Sequence, residues 1–505
     1  MPDNNLYHLF RSRFPADPNA TFLEHARGST SFADLDDQSA RLCQTIKANG
    51  VTKGDRVIVQ VAKSPEAVML YLACLRAGAV FIPLNTAYTT REVAYFVQDA
   101  GPRVVVCDPA AKADITTICD AGTAILTLDS NGNGTLIDQM ESSSPDPEVA
   151  PSKPDDLAAI LYTSGTTGRS KGAMLTHDNL ASNALVLHEY WQWQLGDVLL
   201  HALPIFHVHG LFVALHCALL NGSKVIFHSG FDAEAIIRDL PRSTVLMGVP
   251  TFYTRLLDTP DFSADTCRNM RLFISGSAPL LPETFAAFEA LSGHTILERY
   301  GMTEAGMITS NPYGGARIAG TVGYALPGVT ARVADGNGQE VPHGEVGILE
   351  ITGPNVFAGY WQMPEKTAEE FRDDGFFITG DMATMEPDGR ISIVGRAKDL
   401  IISGGYNVYP KEVEIEIDKL HGVKESAVIG LPHPDLGEAV TAVVVPNVTS
   451  SPVGETAIRK ELADTLARFK LPRKVIFLSE LPRNTMGKVQ KKAMRESYVD
   501  LYSGQ

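Results

Sequence analysis

The sequence of 505 residues lacks long apolar runs, paired cysteines and an excess of positive charge. A membrane-spanning helix needs about 18 consecutive apolar residues, and no segment has them. The first residues, MPDNNLYHLFRSRFP, lack the apolar centre of a signal peptide. The six cysteines form no CxxC pair, which is typical of reduced thiols and excludes the usual zinc motifs. These absences predict a cytoplasmic protein that does not enter a membrane.

The net charge of −16 disfavours binding to nucleic acid. The acidity is uneven, because nine basic residues and a single acid lie between Arg468 and Arg495. A basic stretch on an acidic body suits a phosphate-rich small ligand, or is an ordinary solvated surface. Composition alone leaves both alternatives open.

Short β-branched runs alternate with helix-like stretches in the first part of the chain. Residues 55–62 and 102–108 have the pattern of buried strands, and residues 65–78 that of a helix ending at glycine. This alternation predicts βαβ units and a parallel sheet covered on both faces. Residues 130–156, rich in Ser, Pro, Gly and acids, are predicted to be a surface connection.

Beyond about residue 319 the sequence changes to short strands and glycine turns, which predicts hairpins at 335–338 and 387–389. We expect an α/β protein with a large N-terminal body of parallel α/β layers plus a β-rich subdomain, and a small mobile α+β C-terminal domain. The expected boundaries are 1–396 for the large domain, about 319–396 for its β-rich part, 397–399 for a hinge and 400–505 for the small domain.

A loop rich in Gly, Ser and Thr follows the predicted strand AAILY. Its glycines allow the backbone to approach a phosphate, its hydroxyl and N–H groups donate hydrogen bonds, and Lys171 adds a positive charge. It is not a Walker A loop, because the four residues after Gly165 are followed by Ser170, where that motif has the glycine of its Gly-Lys pair. A flexible linker is the alternative, but linkers seldom follow a buried strand so directly. The candidate phosphate-binding residues are Thr163, Ser164, Gly165, Thr166, Thr167, Gly168 and Lys171.

Three further segments carry groups suited to a nucleotide. In LERYGMTEAGM, Glu304 offers an oxygen ligand for Mg²⁺ and Tyr300 a flat face for a purine. Asp381 follows a Thr-Gly turn, where a carboxylate can accept both hydroxyls of a ribose, and Arg396 can donate to the same sugar or a phosphate. Lys488 follows a glycine within the basic stretch.

The order and spacing of these four segments resemble the adenylate-forming superfamily of acyl-CoA synthetases, luciferases and peptide-synthetase adenylation domains. The resemblance extends from about residue 6 to residue 502. It implies a reaction in two steps, with ATP, Mg²⁺ and coenzyme A. A carboxylate attacks the α-phosphate of ATP and releases pyrophosphate, and the thiol of coenzyme A then displaces AMP.

The resemblance also implies roles for individual residues. The loop from Thr163 to Lys171 would hold the β- and γ-phosphates, and Asp381 and Arg396 the ribose. The residues expected around the adenine and the α-phosphate are Gly276, Ser277, Ala278, Glu298, Arg299, Tyr300, Gly301, Met302 and Thr303. The expected catalytic residues are Lys488, Thr303, Glu304 and His207, with Glu304 also the Mg²⁺ ligand.

Lys488 would bridge the carboxylate and the α-phosphate in the first step. Lys398 would lie at a hinge about which the small domain rotates between the steps. After that rotation Ser403, Gly404 and Gly405 would face the pantetheine of coenzyme A. Members of the superfamily are often switched off by acylation of the lysine that matches Lys488, so the same regulation is expected here.

Arg299 is the residue that indicates the acid. Many relatives acting on aryl or fatty acids have glycine there, and a guanidinium buried in an acyl pocket is costly unless an anion pairs with it. A second carboxylate on the substrate would be such an anion. The alternatives are that Arg299 pairs with a protein carboxylate or points to solvent. Arg242 is a reserve candidate, although its position is more typical of a surface charge.

The segments LHALPIFHVHGLFVA, LERYGMTE and DDGFFITGDM resemble those of malonyl-CoA synthetases. That family makes malonyl-CoA, and often methylmalonyl-CoA, from the free diacid. The resemblance implies that His207, Arg299 and Met307 bind the dicarboxylate substrate. Ile308 departs from the family pattern, which has asparagine there, so it narrows the pocket, admits a methyl branch or marks a different short acid.

Other functions remain as alternatives. A CoA ligase for another short-chain carboxylic acid would use the same machinery, and an adenylation enzyme that loads a carrier protein would need a docking surface. Retention of all the nucleotide-binding residues argues against a non-catalytic nucleotide sensor. His207 and His209, with no nearby third ligand, are more typical of packing residues than of a metal site.

Overall fold

The computed structural model describes residues 4–163, 170–447, 453–485 and 487–503. Its strands are β1 (Thr21–His25), β2 (Gly28–Ser31), β3 (Arg56–Gln60), β4 (Val80–Pro83), β5 (Val104–Cys107), β6 (Ala124–Thr127), β7 (Leu157–Thr163), β8 (Lys171–Thr176), β9 (Val198–His201), β10 (Lys224–Phe227), β11 (Val245–Gly248), β12 (Leu272–Ser275), β13 (Leu297–Met302), β14 (Gly306–Ser310), β15 (Tyr324–Ala325), β16 (Thr330–Ala334), β17 (Gly347–Thr352), β18 (Phe377–Met385), β19 (Ile391–Arg396), β20 (Ile401–Ser403), β21 (Tyr406–Val408), β22 (Val423–His433), β23 (Gly437–Pro446) and β24 (Lys474–Phe477).

Helices lie between most of these strands. They are α1 (Leu6–Arg11), α2 (Phe32–Ala48), α3 (Pro65–Ala77), α4 (Thr90–Ala100), α5 (Lys112–Ile118), α6 (Thr135–Ser142), α7 (His177–Tyr190), α8 (His216–Asn221), α9 (Ala233–Asp239), α10 (Pro250–Leu257), α11 (Pro282–Ser292), α12 (Pro364–Glu369), α13 (Pro410–Asp418), α14 (Glu455–Ala463) and α15 (Lys491–Ser497). A π-helical segment, His209–Leu215, precedes α8. Within the described residues, no helix is both long and apolar enough to cross a bilayer.

Local sequence signals account for the boundaries of α3. The Ser64 side chain accepts a hydrogen bond from the backbone of Ala67, proline occupies the first turn, and Gly78 ends the helix in the left-handed conformation. Every residue of α3 except Glu66 is buried, as expected for a helix between sheet layers. The predicted helix at 65–78 is therefore confirmed.

Two large sheets occupy the N-terminal part of the chain. One has nine strands in the order β15-β14-β13-β12-β11-β9-β10-β1-β2, and the other has six in the order β6-β5-β3-β4-β7-β8. The central strands of both are parallel, while β2, β8, β14 and β15 pair antiparallel at the edges. The predicted parallel layers are confirmed. The surface connection predicted at 130–156 is only partly correct, because it contains α6, whose Leu136 and Met140 are buried.

Two smaller sheets follow. Strands β16 to β19 form one, and β21-β20-β23-β22 form the other, with β24 beside β23. Turns at 335–338 and 386–390 give the hairpin-like reversals that the glycine pattern predicts. Helices α13 and α14 pack on the last sheet through an apolar core that includes Ile417, Val428 and Ile458. The predicted α/β class is thus confirmed.

Contacts divide the chain into two compact units. The first contains residues 1–330 and 352–377, and the second contains residues 331–351 and 378–505. Part of the β-rich segment that we expected in the large domain therefore groups with the C-terminal unit. The hinge at 397–399 and the mobility of the small domain stay predictions.

Candidate active site

Three neighbouring strands of the nine-stranded sheet end beside one another in the first unit. Strands β11, β12 and β13 are parallel, so Gly248, Ser275 and Met302 lie toward the same edge. Ligands of α/β sheets bind at this carboxyl edge. Ser277, two residues past β12, has φ +71, a left-handed conformation that is uncommon for a residue with a side chain. Strained backbone of this kind is concentrated at functional sites.

Arg299 is buried on β13 and lies against the backbone at Gly276. A Cβ atom at Gly276 would be 2.3 Å from Nη1 of Arg299, so a larger residue there would displace the guanidinium. Its Nε and Nη2 atoms have no hydrogen-bond partner among the described residues. Burial lowers the pKa of Arg299 to about 9. The alternatives in which Arg299 pairs with a protein carboxylate or points to solvent do not fit this environment.

His209 lies beside this guanidinium, at the start of the π-helical segment. Its Nδ1 is 3.2 Å from the Ser277 hydroxyl, and its buried Nε2 has no partner among the described residues. Burial lowers the pKa of His209 well below its usual range, and the charge of Arg299 lowers it further. The imidazole is therefore neutral. Sequence reasoning treated His209 as a packing residue, and no sequence signal separates it from His207.

The other predicted substrate residues lie in the same unit. His207 is half-buried, and its Nδ1 accepts a hydrogen bond of 3.3 Å from the backbone N–H of His209. Met307 and Ile308 are buried on β14. Arg242, in contrast, pairs with Glu24 and Asp239 and is half-exposed, so the surface alternative is correct for it.

The predicted phosphate-binding loop joins β7 to β8. Thr163 and Lys171 face each other in the antiparallel register of these strands. Ser164, Gly165, Thr166, Thr167 and Gly168 lie outside the described residues. The Thr163 hydroxyl is 3.5 Å from Oε1 of Glu304, and Nζ of Lys171 is 2.7 Å from Oε1 of Glu370. The structure therefore brings Glu304 close to Thr163 of the predicted loop, although the sequence analysis had placed the two residues in separate motifs.

Glu304 fits a Mg²⁺ ion that is held chiefly by nucleotide phosphates. Its carboxylate is buried, and its Oε1 lies 3.1 Å from the Tyr360 hydroxyl. Among the described residues there is no group of three or more His, Cys, Asp or Glu side chains suited to a metal. Mg²⁺ commonly uses one or two carboxylates together with phosphate oxygens and water. The buried carboxylate of Glu304, close to Thr163 at the end of β7, fits that ligand set.

The other residues expected around the adenine have varied surroundings. Ser277 and Ala278 are partly buried after β12, as are Tyr300, Gly301, Met302 and Thr303 on and just after β13. The carboxylate of Glu298 is buried and accepts a hydrogen bond of 3.2 Å from the backbone of Gly320. Glu298 thereby holds a turn of the chain.

The second unit contains the predicted ribose-binding pair. Asp381 on β18 faces Arg396 on β19, and Nε of Arg396 is 2.5 Å from Oδ1 of Asp381. Lys488 also lies in this unit. The residue as a whole is exposed, but the surroundings of its ammonium group desolvate it and lower its pKa to about 8. The charge of Arg396 lowers that pKa further, whereas Asp381 raises it.

The expected hinge and coenzyme A residues also lie in the second unit. Lys398 belongs to a short 3₁₀ turn, Ala397–Asp399, and is exposed. Gly404 and Gly405 form the turn between β20 and β21, with φ +58 and +81. Ser403 is buried at the end of β20, while the two glycines are exposed. The backbone at the tip of this hairpin is therefore exposed, and the role of the two glycines in binding coenzyme A stays a prediction.

Comparison with known proteins gives matches over nearly the whole chain. Residues 10–361 match the family described as AMP-binding enzyme, and residues 412–488 match the AMP-binding enzyme C-terminal domain. A feruloyl-CoA synthase from Amycolatopsis sp is 35% identical, over 95% of this chain and 96% of the relative. A malonate–CoA ligase from Arabidopsis thaliana is 36% identical, over 89% of this chain and 79% of the relative.

A solved structure is more similar still. The crystal structure of ATP-bound MatB from Rhodopseudomonas palustris superposes with a TM-score of 0.97 and is 53% identical. The match covers 99% of this chain and 100% of that chain.

Proposed function

The chain belongs to the family of AMP-binding enzymes, and from that premise we propose that it ligates malonate to coenzyme A with consumption of ATP. Its relatives are acid–thiol ligases, so ATP, Mg²⁺ and coenzyme A are the expected cofactor and co-substrates. Methylmalonate is proposed as a second substrate. The observation that carries the choice of a diacid is Arg299, a buried guanidinium whose Nε and Nη2 atoms have no hydrogen-bond partner in the part of the chain that the structure describes.

A buried cation without a counter-ion is costly, and that cost falls when an anion binds next to it. A carboxylate can accept two parallel hydrogen bonds from a guanidinium, and the two unpartnered nitrogens of Arg299 are available as donors. His209 offers a third hydrogen-bond donor to such a carboxylate. If the Ser277 hydroxyl donates to Nδ1, the imidazole carries its hydrogen on Nε2 and donates to the same carboxylate.

The positions of Arg299 and Thr303 favour a short diacid. The two residues are four positions apart on β13 and the turn after it, so their Cα atoms are separated by at most about 14 Å. This separation limits the length of an acid that places one carboxylate at Arg299 and the other at the α-phosphate, and a short diacid is proposed.

The proposed reaction begins when one carboxylate oxygen attacks the α-phosphorus and pyrophosphate leaves. Two anions must approach in line, so the residues chiefly provide positive charge and orientation. Lys488 is proposed to neutralise both partners, and Thr303 to donate to the α-phosphate. Mg²⁺, bound at Glu304, would supply charge neutralisation on the phosphates. The thiol sulfur then attacks the acyl carbonyl, AMP leaves, and the thiol proton passes to solvent.

Two further properties are proposed. The six cysteines are all free, which supports a reducing compartment such as the cytoplasm. Acylation of Lys488 is proposed as an off-switch, because it would remove the charge that the first step needs. The proposal is tested by acylating Lys488 and following activity before and after enzymatic deacylation.

The experiment for the main proposal is carboxylate-dependent ATP–pyrophosphate exchange, with malonate, methylmalonate, succinate, acetate, butyrate and ferulate. It compares wild type, Arg299→Met and the matched surface variant Arg242→Met. We expect diacids to be preferred, and Arg299→Met to lose at least about 30-fold in kcat/KM for malonate, the equivalent of 2 kcal/mol. Arg242→Met should behave as wild type. Preference for acetate, butyrate or ferulate, with Arg299→Met unaffected, would show that the acid is wrong.

A further inference from the structure

A continuous chain of contacts in the first unit joins four polar side chains, which are Lys171, Glu370, Tyr360 and Glu304. Nζ of Lys171 is 2.7 Å from Oε1 of Glu370 and lies 4.0 Å from the centre of the Tyr360 ring. The Tyr360 hydroxyl is 2.6 Å from Oε2 of Glu370 and 3.1 Å from Oε1 of Glu304. Neither the sequence analysis nor the proposed mechanism gives a role to Glu370 or to Tyr360, which lies between Glu370 and Glu304.

The backbone holds these groups in place. Tyr360 is buried and forms a bridge with Ala173 on β8, flanked by hydrogen bonds that join Gly172 to Trp361 and Met174 to Gly359. Glu370 stands directly after α12, at its C-terminal cap. The strand that begins with Lys171 and the segment that ends with Glu370 are therefore fixed to each other by main-chain contacts. Such support favours a precise geometry for the side chains.

The charges in this chain depend on Glu370. Burial alone would raise its pKa, but the hydrogen bonds from Lys171 and Tyr360 hold that pKa below its usual range, so the side chain is ionised. Lys366 also approaches Oε1 of Glu370, at 3.3 Å. Glu370 thus keeps a cationic neighbour when the ammonium of Lys171 turns toward a polyphosphate.

We propose that Glu370 is a positioning residue for ATP, which orients the ammonium of Lys171 and, through the Tyr360 hydroxyl, the carboxylate of Glu304. This inference rests on the proposed function, because it assigns Lys171 to the phosphates and Glu304 to Mg²⁺. Glu370 need not touch ATP. It sets the spacing between the ammonium of Lys171, which is proposed to bind the phosphates, and the carboxylate of Glu304, which is proposed to bind their Mg²⁺.

Glu369 provides a matched control. It precedes Glu370 in the chain and has the same side chain, but it is exposed and pairs with Lys366 at 2.9 Å. Glu370→Gln removes the charge that faces Lys171 and keeps the shape of the side chain, and Glu369→Gln makes the same chemical change outside the chain of contacts. Tyr360→Phe removes only the hydroxyl that joins Glu370 to Glu304.

The experiment uses the full-length protein and three measurements: calorimetric titration with ATP with and without Mg²⁺, acid-dependent exchange against Mg²⁺ concentration, and thioester formation from prepared acyl-adenylate. For Glu370→Gln we expect MgATP affinity and the exchange rate to fall by about 10- to 100-fold. We also expect a rise in the Mg²⁺ midpoint, which is the Mg²⁺ concentration that gives half-maximal exchange. Tyr360→Phe should raise the Mg²⁺ midpoint and leave Mg²⁺-free ATP binding unchanged. Thioester formation should stay as in wild type.

Equal behaviour of Glu370→Gln and Glu369→Gln in MgATP binding would overturn the inference. Equal losses in exchange and in thioester formation would also overturn it, because they would indicate a general structural role. If Glu370→Gln does not fold, Tyr360→Phe gives the decision through its Mg²⁺ midpoint. Titration with MgATP needs no acid, so Glu370 can be judged even if malonate is the wrong substrate. Absence of acid-dependent exchange in wild type would count against the proposed function instead.

Discussion

Replacement of Arg299 by methionine is expected to stabilise the ligand-free protein. Burial lowers the pKa of Arg299 to about 9, well below the usual range for arginine. At 1.36 kcal/mol for each pKa unit, this difference corresponds to about 5 kcal/mol of unfavourable free energy for holding the guanidinium charged. Methionine fills similar space without a charge. Because some of the gain is lost to imperfect packing, we expect the free energy of unfolding to rise by about 1–4 kcal/mol.

The assay is urea denaturation followed by tryptophan fluorescence. The three tryptophans, Trp191, Trp193 and Trp361, all lie in the first unit, as does Arg299, so the signal reports on that unit. Arg271→Met is the contrasting variant, because Arg271 pairs with the buried carboxylate of Asp197. Removing a paired arginine leaves a buried charge without a partner, so we expect a loss of about 3–5 kcal/mol.

The sign of the pH dependence follows from the same pKa. The destabilisation by Arg299 is complete below about pH 9 and is relieved as pH rises above that value, since the unfolded chain then holds a proton that the folded protein has lost. The stability difference between wild type and Arg299→Met should therefore narrow above pH 9. A destabilised Arg299→Met, similar to Arg271→Met, would refute the reasoning, because it would mean that the guanidinium is already compensated.

Two predictions concern Lys488. Lys488→Ala should slow acid-dependent exchange by about 10²–10³-fold and affect thioester formation from prepared acyl-adenylate much less, because the ammonium is proposed to act only in the first step. Equal losses in the two half-reactions would contradict that role. The pKa of Lys488 is lowered to about 8 by desolvation and by Arg396, so the exchange rate should fall as pH rises through about 8, whereas Lys488→Arg should remain active at higher pH. A wild-type rate that stays constant well above pH 8 would show that this charge is not required.

Local patterns in the sequence predicted much of the fold. Helix α3 has its serine cap, its first-turn proline and its terminal glycine within one short segment, so its bounds follow from nearest neighbours. Helix α6 was missed because polar and turn-forming residues surround it on both sides. Its two buried side chains, Leu136 and Met140, give too little periodicity to stand out.

Only the residues of the site that stand in local motifs could be predicted from the sequence, because the fold brings the others together from distant positions. Loop chemistry and family resemblance identified Lys171 and Glu304, which stand in motifs. Glu370 lies 199 positions from Lys171, and only the three-dimensional fold brings the two side chains together. The burial of His209, likewise, depends on packing that no local pattern encodes. Arg299 was found through the family resemblance, because many relatives have glycine at that position and a guanidinium buried in an acyl pocket needs an anion.

The central claim is that this enzyme selects a short dicarboxylate. It is tested most directly by competition, in which malonate, methylmalonate, succinate, acetate, butyrate and ferulate are supplied together at equal concentration with ATP, Mg²⁺ and coenzyme A. The acyl-CoA products are then quantified by mass spectrometry, and their ratios report the ratios of kcat/KM. The account predicts that malonyl-CoA is the main product, with methylmalonyl-CoA second. A mixture dominated by acetyl-, butyryl- or feruloyl-CoA would contradict it.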